Sequence, residues 1–480
     1  MSTINTNITA LVAARVYNQN SSRMNQVLQR LSTGLRINRG ADDPAGLIAS
    51  ETLRAEKSAI SAAIENAGRA DNVMSVAEGA LQEVSSLLIA LEGLVDHTAN
   101  ESGMSDQEVA ANQLQVDAIL DSINRIATTT TYGGKKLLDG SMDYTTSGVS
   151  SANIGQVTVN SARLAENAYR TVTVNVTTSA QTAQLQHTEA TGALTSNVSL
   201  SIGGNKGVDT FTFAAGTTLS AIANAVNQST DLTGVAATVT TASGGAATIS
   251  FNSVKYGSSQ YVSVEAINGT SFEVTGGTTS TRDTGVDAVM TINGQTASTD
   301  GLKGSIRTAS LDIDITLTEA YGGGRTNSPT TFYVTGGGMT FQISPDLSPS
   351  GMVALGLKSM ATTSLGDSIT GWLSSLASGG TNQLSSKNFS TAQEIVRLAS
   401  TQVAQLRGRI GAMQQNTIAS TINSLQVAYE NMSAAESVIR DADFAKETSE
   451  LTRAQILVQS STQVLSLANA APQNVLALLR

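Results

Sequence analysis

Only two histidines, His97 and His187, occur in the 480-residue chain, 90 positions apart, and there is no cysteine. Neither histidine has the Asp, Ser or Cys surroundings that a catalytic triad needs, and no Cys/His set is present to hold zinc. Nor is there a pair of histidines flanking a glutamate at metalloprotease spacing. The sequence therefore predicts no enzyme, no metal site and no cofactor. What remains in quantity is aliphatic, and the chemistry of ordered aliphatic stripes is association through burial of apolar surface.

The strongest such stripes lie at the two ends. Ile4, Ile8, Val12 and Val16 recur every four residues, with Leu11 beside them and Met24, Leu28, Leu31 and Leu35 further on, along one helix of about 30 residues. The last 30 residues carry Leu451, Ile456, Leu457, Val458, Val464, Leu465 and Leu467. Each stripe is narrow and lacks apolar neighbours nearby in sequence. Ile4, Ile8, Leu11, Val12, Val16, Leu457, Val464, Leu465 and Leu467 are thus the candidate contacts with other copies of the chain.

Between the stripes run two heptad series. Leu53, Ile60, Ala67, Met74, Leu81, Leu88 and Val95 fall at intervals of seven, with Ala63, Ala70, Ala77, Val84 and Leu91 as companions. This specifies a coiled-coil-like rod about 65 Å long. Near the other end Ile395, Leu398, Val403, Leu406, Ile410 and Met413 lead into Ile418, Leu425, Met432 and Ile439. A further helix is expected over 106–127. The run Arg36 to Gly46 breaks the first pattern, with Asp42 or Asp43 placed to cap the following helix and Pro44 in its first turn.

Composition separates these ends from the middle. Residues 1–145 and 385–480 hold 43 charged residues, whereas 146–384 hold 23 and all but two of the eight phenylalanines. The middle alternates, as in Val172, Val174, Val176 and in Leu311, Ile313, Ile315, Leu317, which reads as strands. A short helix around Leu219, Ile222, Ala223 and Val226 suggests an α+β unit over 192–285, and 286–350 is expected to form another. The fold class is α+β: the terminal helices pair in an antiparallel coiled-coil-like bundle, and the strand-rich insert forms outer domains.

The 28 basic and 38 acidic residues give a net charge of −10, which argues against a nucleic-acid partner. No long unbroken apolar run marks a membrane span, and the opening residues lack the basic and apolar regions of a cleavable signal. The absence of cysteine fits a protein that works outside the cell by another export route.

Both ends resemble bacterial flagellin. The resemblance rests on Leu31-Ser32-Thr33-Gly34-Leu35-Arg36-Ile37-Asn38, Asp42-Asp43-Pro44-Ala45-Gly46 and Gly133-Gly134-Lys135-Lys136-Leu137-Leu138-Asp139-Gly140 in the first 145 residues. It rests also on Asn431-Met432-Ser433-Ala434-Ala435-Glu436-Ser437-Val438-Ile439-Arg440-Asp441-Ala442-Asp443-Phe444 and on the ending Val475-Leu476-Ala477-Leu478-Leu479-Arg480. It implies the subunit of a homo-oligomer, a helical filament of about eleven protofilaments. It also implies an export chaperone and export apparatus, a filament cap and hook-filament junction proteins as partners, and an extracellular flagellar location reached without a cleavable signal.

The resemblance divides the chain into an inner helix and spoke (1–41), a rod part (42–170), an outer α+β domain (171–285), a second outer β-rich domain (286–360), a second rod part (361–445) and a C-terminal inner helix (446–480). It assigns Arg36, Arg39, Asp42 and Asp43 to contacts that bias filament shape. It places Ala90 where many family members carry an arginine read by an innate receptor, with Leu94 retained, so detection is expected to be weak because alanine cannot replace a multidentate donor. A minor filament or hook-filament junction subunit shares the same helical ends, and an adhesive or glycan-related role for the exposed middle is a further alternative.

Overall fold

The computed structural model describes residues 6–100, 103–164, 168–242, 246–268, 272–276, 281–308, 310–324 and 328–477, the stretch 471–477 as helix backbone. Ile4 lies outside the described residues, as do the last three residues of the C-terminal motif. Two compact units divide the chain, Met1–Gly68 with Ile343–Leu347 and Ile418–Arg480, and Arg69–Gln342 with Ser348–Thr417.

Helix α1 spans Ile8–Thr33. The Asn7 side chain accepts from the Ala10 N–H at 3.1 Å to open it, and Gly34, left-handed at φ 72°, closes it. Helix α2 spans Pro44–Thr98, and the two candidate caps resolve at its start: Asp43 accepts from the Gly46 N–H at 2.9 Å, while Asp42 serves the turn before it. Helix α3, Asp106–Thr129, begins with a reciprocal cap between Ser105 and Glu108.

In the second unit α2 presents Met74, Ala77, Leu81, Val84, Leu88, Leu91 and Val95, all buried. Val116, Leu120 and Ile123 of α3 are buried too, as are Ile395, Val403, Leu406 and Ile410 of helix α5, Phe389–Ala412. Arg407–Glu78 at 2.8 Å and Arg397–Glu92 at 2.7 Å run in opposite sequence order and show that α2 and α5 are antiparallel. An 18-residue window of α2 reaches a mean hydropathy of 1.2, enough by composition to cross a membrane. A third of that window is buried within the protein.

Strands β1 (Tyr144–Ser147), β2 (Ile154–Ala162) and β3 (Arg170–Thr178) open the insert. Then come β4 (Gln184–Glu189), β5 (Val198–Gly204), β6 (Val208–Phe213), helix α4 (Leu219–Gln228), β7 (Val235–Thr241), β8 (Ala247–Ser253), β9 (Tyr261–Asn268) and β10 (Arg282–Thr284). The chain continues through β11 (Val289–Ile292), β12 (Gln295–Thr296), β13 (Ser298–Asp300), β14 (Lys303–Arg307), β15 (Leu311–Leu317) and β16 (Thr330–Gly337). The sheets β10-β9-β5-β6 and β4-β8-β7 share one apolar core with α4, around Leu200, Ile222, Ile249 and Phe251. The sheets β12-β11-β3-β16-β1 and β13-β14-β15-β2 share a second, around Val174, Met290, Ile313 and Phe332.

This pairing redraws the expected limits of the insert. Strands β1 and β2 fall in the segment assigned to the rod, and β3 crosses the division at 170/171. Yet all three pack with strands beyond residue 288, because β3 pairs with β11 and β16 across more than a hundred residues. The segment 286–350 is correspondingly not a second α+β unit but the later half of an antiparallel sandwich begun before residue 180. Alternation identifies strands and says nothing of partners this distant.

The carboxyl-terminal part is helical: α5 (Phe389–Ala412), a π-helical turn over Met413–Ala419, α6 (Ser420–Arg440) and α7 (Phe444–Ala477), which continues past Pro472. The π turn corrects the reading of one heptad series leading into another. Ile410 and Ile418 are both buried yet eight residues apart, so at 100° per residue a regular α-helix would rotate Ile418 about 80° past two full turns. A π turn takes up the extra residue.

Candidate functional site

Helices α1 and α7 of the first unit lie antiparallel. Asn7 Nδ2 donates to the Ala468 carbonyl at 2.8 Å, Arg23 meets Glu450 at 3.2 Å and Arg30 meets Glu447 at 3.4 Å. Asn7 thus both caps α1 and ties it to α7, a role that the sequence reading missed; its place one residue before a stripe is the signal that would have found it. The residues covered along these helices are mainly small: Ala13 and Val27 on α1, Ala454 and Ser461 on α7. Small side chains let the backbones approach and leave the large ones outside.

That exclusion creates the candidate site. Ile8 is 65% exposed, Leu11 64%, Val464 54% and Leu467 74%, and Val12, Val16 and Leu457 are also open. Leu465 is half-buried. Ile8, Val12 and Val16 face Leu457 and Val464 across a groove of about 410 Å3 floored by Ala13 and Ser461. Beyond it Glu447 is buried, and its Oε2 and the Nε of Arg30 have no hydrogen-bond partner. An apolar groove of this kind has no catalytic group; what it can do is cover, and be covered by, other apolar surface.

The turn from α1 to α2 is held from both sides. The Arg36 N–H donates to the Arg440 carbonyl at 2.7 Å, the Ala442 N–H to the Gly34 carbonyl at 2.9 Å, and Arg36 Nη2 to the Ile439 carbonyl at 2.6 Å. Asp42 accepts from the backbone N–H of Arg39 at 2.9 Å, that of Asn38 at 3.1 Å and Gln26 Nε2 at 3.0 Å. Those donors, led by Arg39 N–H, hold its carboxyl below the ordinary carboxylate range. Within the chain, then, Asp42 and Asp43 bind backbone amides instead of Arg36 or Arg39, and the Arg39 side chain is exposed. A Cβ on Gly46 would sit 2.4 Å from Asp43 Oδ2 and 2.8 Å from the buried Ile37 side chain, so this turn closes only around glycine.

The rod residues of the first unit divide in two. Ile60, Ala67 and Ile418 are buried, whereas Leu53, Leu425, Met432 and Ile439 are half-buried and α6 has no fully buried residue. Polar pairs hold this stretch: Lys57 with Glu436 at 2.6 Å and Arg440 with Glu51 at 2.8 Å. On α2, Ala90 is exposed and Leu94 half-buried. His187 does not line a site: it is buried, stacked on Phe272 with ring centroids 3.8 Å apart, and its Nδ1 lies 2.7 Å from the Glu273 carbonyl. His97 is exposed on α2.

Comparison with known proteins matches both helical ends and part of the insert. The family model for the bacterial flagellin N-terminal helical region matches residues 4–143, that for the C-terminal helical region matches 393–479, and that for the flagellin hook IN motif matches 199–255. The chain is 30% identical to the B-type flagellin of Pseudomonas aeruginosa, over 100% of this chain and 99% of that one. It is 29% identical to polar flagellin F of Vibrio parahaemolyticus, over 99% of each. Among solved structures, the D2-D3 domains of the flagellar cap protein FliD from Escherichia coli match 39% of this chain and 96% of that one, at 22% identity and a TM-score of 0.28. Matched from end to end by flagellins, and built on terminal helices whose large aliphatic faces lie open, the chain belongs to the bacterial flagellin family.

Proposed function

We propose that the groove between α1 and α7 is the surface through which one subunit joins the next. The chain is a structural subunit, not an enzyme, that assembles with copies of itself into the helical filament of the extracellular bacterial flagellum. One observation carries the assignment of the surface: Ile8, Leu11, Val12, Val16, Leu457, Val464 and Leu467 remain exposed although α1 and α7 are paired with each other. Each such side chain contributes about 1.5–3 kcal/mol when fully covered, so several per subunit, repeated along a filament, supply the association energy. Ile4 and Leu465 belong to the same reading.

A second surface follows from the half-buried residues of the rod. Leu53, Leu425, Met432 and Ile439 gain cover from a neighbouring subunit, while Ile60, Ala67, Met74, Leu81, Leu88, Val95 and Ile418 hold the rod together. Arg36, Arg39, Asp42 and Asp43 shape the turn that joins inner helix to rod, and Arg39, with its guanidinium exposed, is the one poised to reach another subunit. The insert forms outer domains. The subunit leaves the cell without a cleavable signal through the flagellar export apparatus, escorted by a chaperone, and is added beneath a cap above the junction proteins. Ala90 beside Leu94 leaves the receptor patch without its usual cation.

Removal of residues 1–20 tests the central assignment. The truncated subunit is expected to keep the thermal transition of the second unit and to fail to elongate seeds, as followed by sedimentation and electron microscopy. Filaments of normal length from the truncated chain would overturn it.

A further inference from the structure

The sheet β13-β14-β15-β2 has two unlike faces. Ile306, Ile313 and Leu317 point into the second sandwich core, whose residues end at Ala354 and include none from α5. Asn160, Asp314, Lys303 and Arg307 line the opposite side, a groove of about 350 Å3 whose other wall is Gln402, Gln405 and Arg409 of α5. A sheet normally covers a helix with its apolar face. Here the contact with the helix is made by charges.

Two ion-pair clusters bridge that groove's surroundings. Arg409 Nη2 donates to Asp314 Oδ2 at 3.1 Å and Arg409 Nη1 to Asn160 Oδ1, while Asn160 Nδ2 donates to Asp314 at 2.7 Å and to Asp312 at 3.0 Å. Lys303 Nζ meets the buried Asp367 at 2.8 Å, and Asp367 also accepts from the N–H groups of Ile369 and Thr370. Gln402 fixes the hairpin that carries Asp367 to α5, accepting from the Gly366 N–H at 3.0 Å and donating to its carbonyl at 2.8 Å. Lys255, from the end of the first sandwich, pairs with Glu394 of the same helix.

The covalent connection beside this groove is narrow. The chain enters the second sandwich after Leu138 and leaves it after Leu355, and the two crossings bond to each other through Leu357 N–H to Met142 O at 3.0 Å and Met360 N–H to Leu138 O at 2.9 Å. Gly140, left-handed at φ 94°, lies in the first crossing. Two adjacent crossings make a pivot, and the ion pairs stand where they hold it shut.

We propose that the second sandwich is fastened to α5 by an ion-pair latch, Arg409 with Asp314 and Lys303 with Asp367, and that opening the latch lets the sandwich swing about the paired crossings while both apolar cores stay intact. Arg409 and Asp314 are partly exposed, with side-chain accessibilities of 26% and 37%, so salt reaches them. Salt shortens the screening length from about 10 Å at 0.1 M to about 3 Å at 1 M, which weakens such pairs and leaves apolar burial untouched. The latch gives a filament subunit an outer part whose tilt adapts to its surroundings at no cost to its folded cores.

The chain carries its own reporter. Trp372, the single tryptophan, pairs with Gly366 in the hairpin that carries Asp367. The test uses the full-length monomer, the Arg409→Gln and Lys303→Gln variants and their double variant, with tryptophan emission and amide hydrogen exchange measured at low and high sodium chloride. On raising the salt from about 0.1 M to about 1 M, Trp372 emission is expected to shift to the red and exchange of the Ile369 and Thr370 N–H groups, held by the Asp367 carboxylate of the latch, to rise by about tenfold. Exchange at Val172 and Phe332, inside the sandwich core, is expected to hold constant. The double variant at low salt is expected to reproduce wild type at high salt, and Arg409→Lys, which keeps the charge, to recover part of the protection. Salt-independent emission and exchange in the wild type would overturn the latch. So would a parallel loss of protection at Val172 and Phe332, which would mark general destabilisation instead of a swing.

Discussion

Replacing Ile8 with alanine tests the proposed assembly surface separately from the fold. Ile8 is 65% exposed in the single chain, so about two thirds of the 1.5–3 kcal/mol available from covering an isoleucine, about 1–2 kcal/mol, is still to be gained when another subunit covers it. The part already covered is worth about 0.5–1 kcal/mol, and the better helix propensity of alanine returns part of that. The folded subunit should therefore melt close to wild type, while the critical concentration for filament growth rises by about 5- to 30-fold. Sedimentation of seeded polymer over a concentration series reads the second quantity and calorimetry the first. Ile410→Ala is the contrast: Ile410 is fully buried among the rod helices, and its truncation should cost about 2–5 kcal/mol of subunit stability. If Ile8→Ala melted as low as Ile410→Ala, or if its critical concentration were unchanged, the division between inward and outward faces would be wrong.

Three further perturbations probe the rod and the latch. Deleting Gln415 from the π turn removes the extra residue and should restore a continuous α-helix, with a melting temperature near or above wild type. Deleting Ala404 from regular α5 turns Leu406 and Ile410 about 100° out of the seam and should cost several kcal/mol; equal losses in the two deletions would show that the π turn absorbs nothing. Asp367 supplies a pH dependence. Burial alone would raise its pKa, but the Lys303 ammonium and the N–H groups of Thr370 and Ile369 outweigh burial and hold it below the usual carboxylate range. Its folded value being depressed, the stability it contributes is complete above the unfolded value of about 3.9 and is lost as pH falls through the folded one. Asp367→Asn should abolish that portion of the acid transition of Trp372 emission, and an unchanged acid limb would show that the carboxylate is not engaged.

The rod was legible in the sequence because its determinants are local. A seven-residue repeat running from Leu53 to Val95 fixes which face is buried wherever the helix goes, and from Met74 onward the seam residues lie buried as the repeat requires. Helix α4 was legible for the same reason, from Leu219, Ile222, Ala223 and Val226. The sandwich that joins 144–178 to 288–337 was not, since no property of Val174 names Met290 or Phe332 as its neighbour. The π turn lay between these cases: the step of eight from Ile410 to Ile418 is visible in the sequence, but only as a departure from a repeat that both flanking segments obey. In the candidate site the stripes were legible as apolar faces. The tie from Asn7 to α7 joins residues 461 positions apart and required the fold, whereas Asp42 and Asp43 bind amides only three residues away, in the turn where one of the two is expected as the cap.

Residue size connects these observations. Where helices meet within the chain through small side chains, as Ala13 and Ala454 do on α1 and α7, close approach leaves the neighbouring Ile8, Leu11 and Leu467 facing outward. Where the contact is made by leucine and isoleucine, as from Leu81 to Val95, the large residues are consumed in the subunit itself. Alanine in the inner pair therefore shapes the proposed assembly surface by setting how closely the two helices approach. Ala13→Leu should push α1 and α7 apart and draw Ile8 and Val464 toward cover within the subunit, raising subunit stability or leaving it level while filament growth falls.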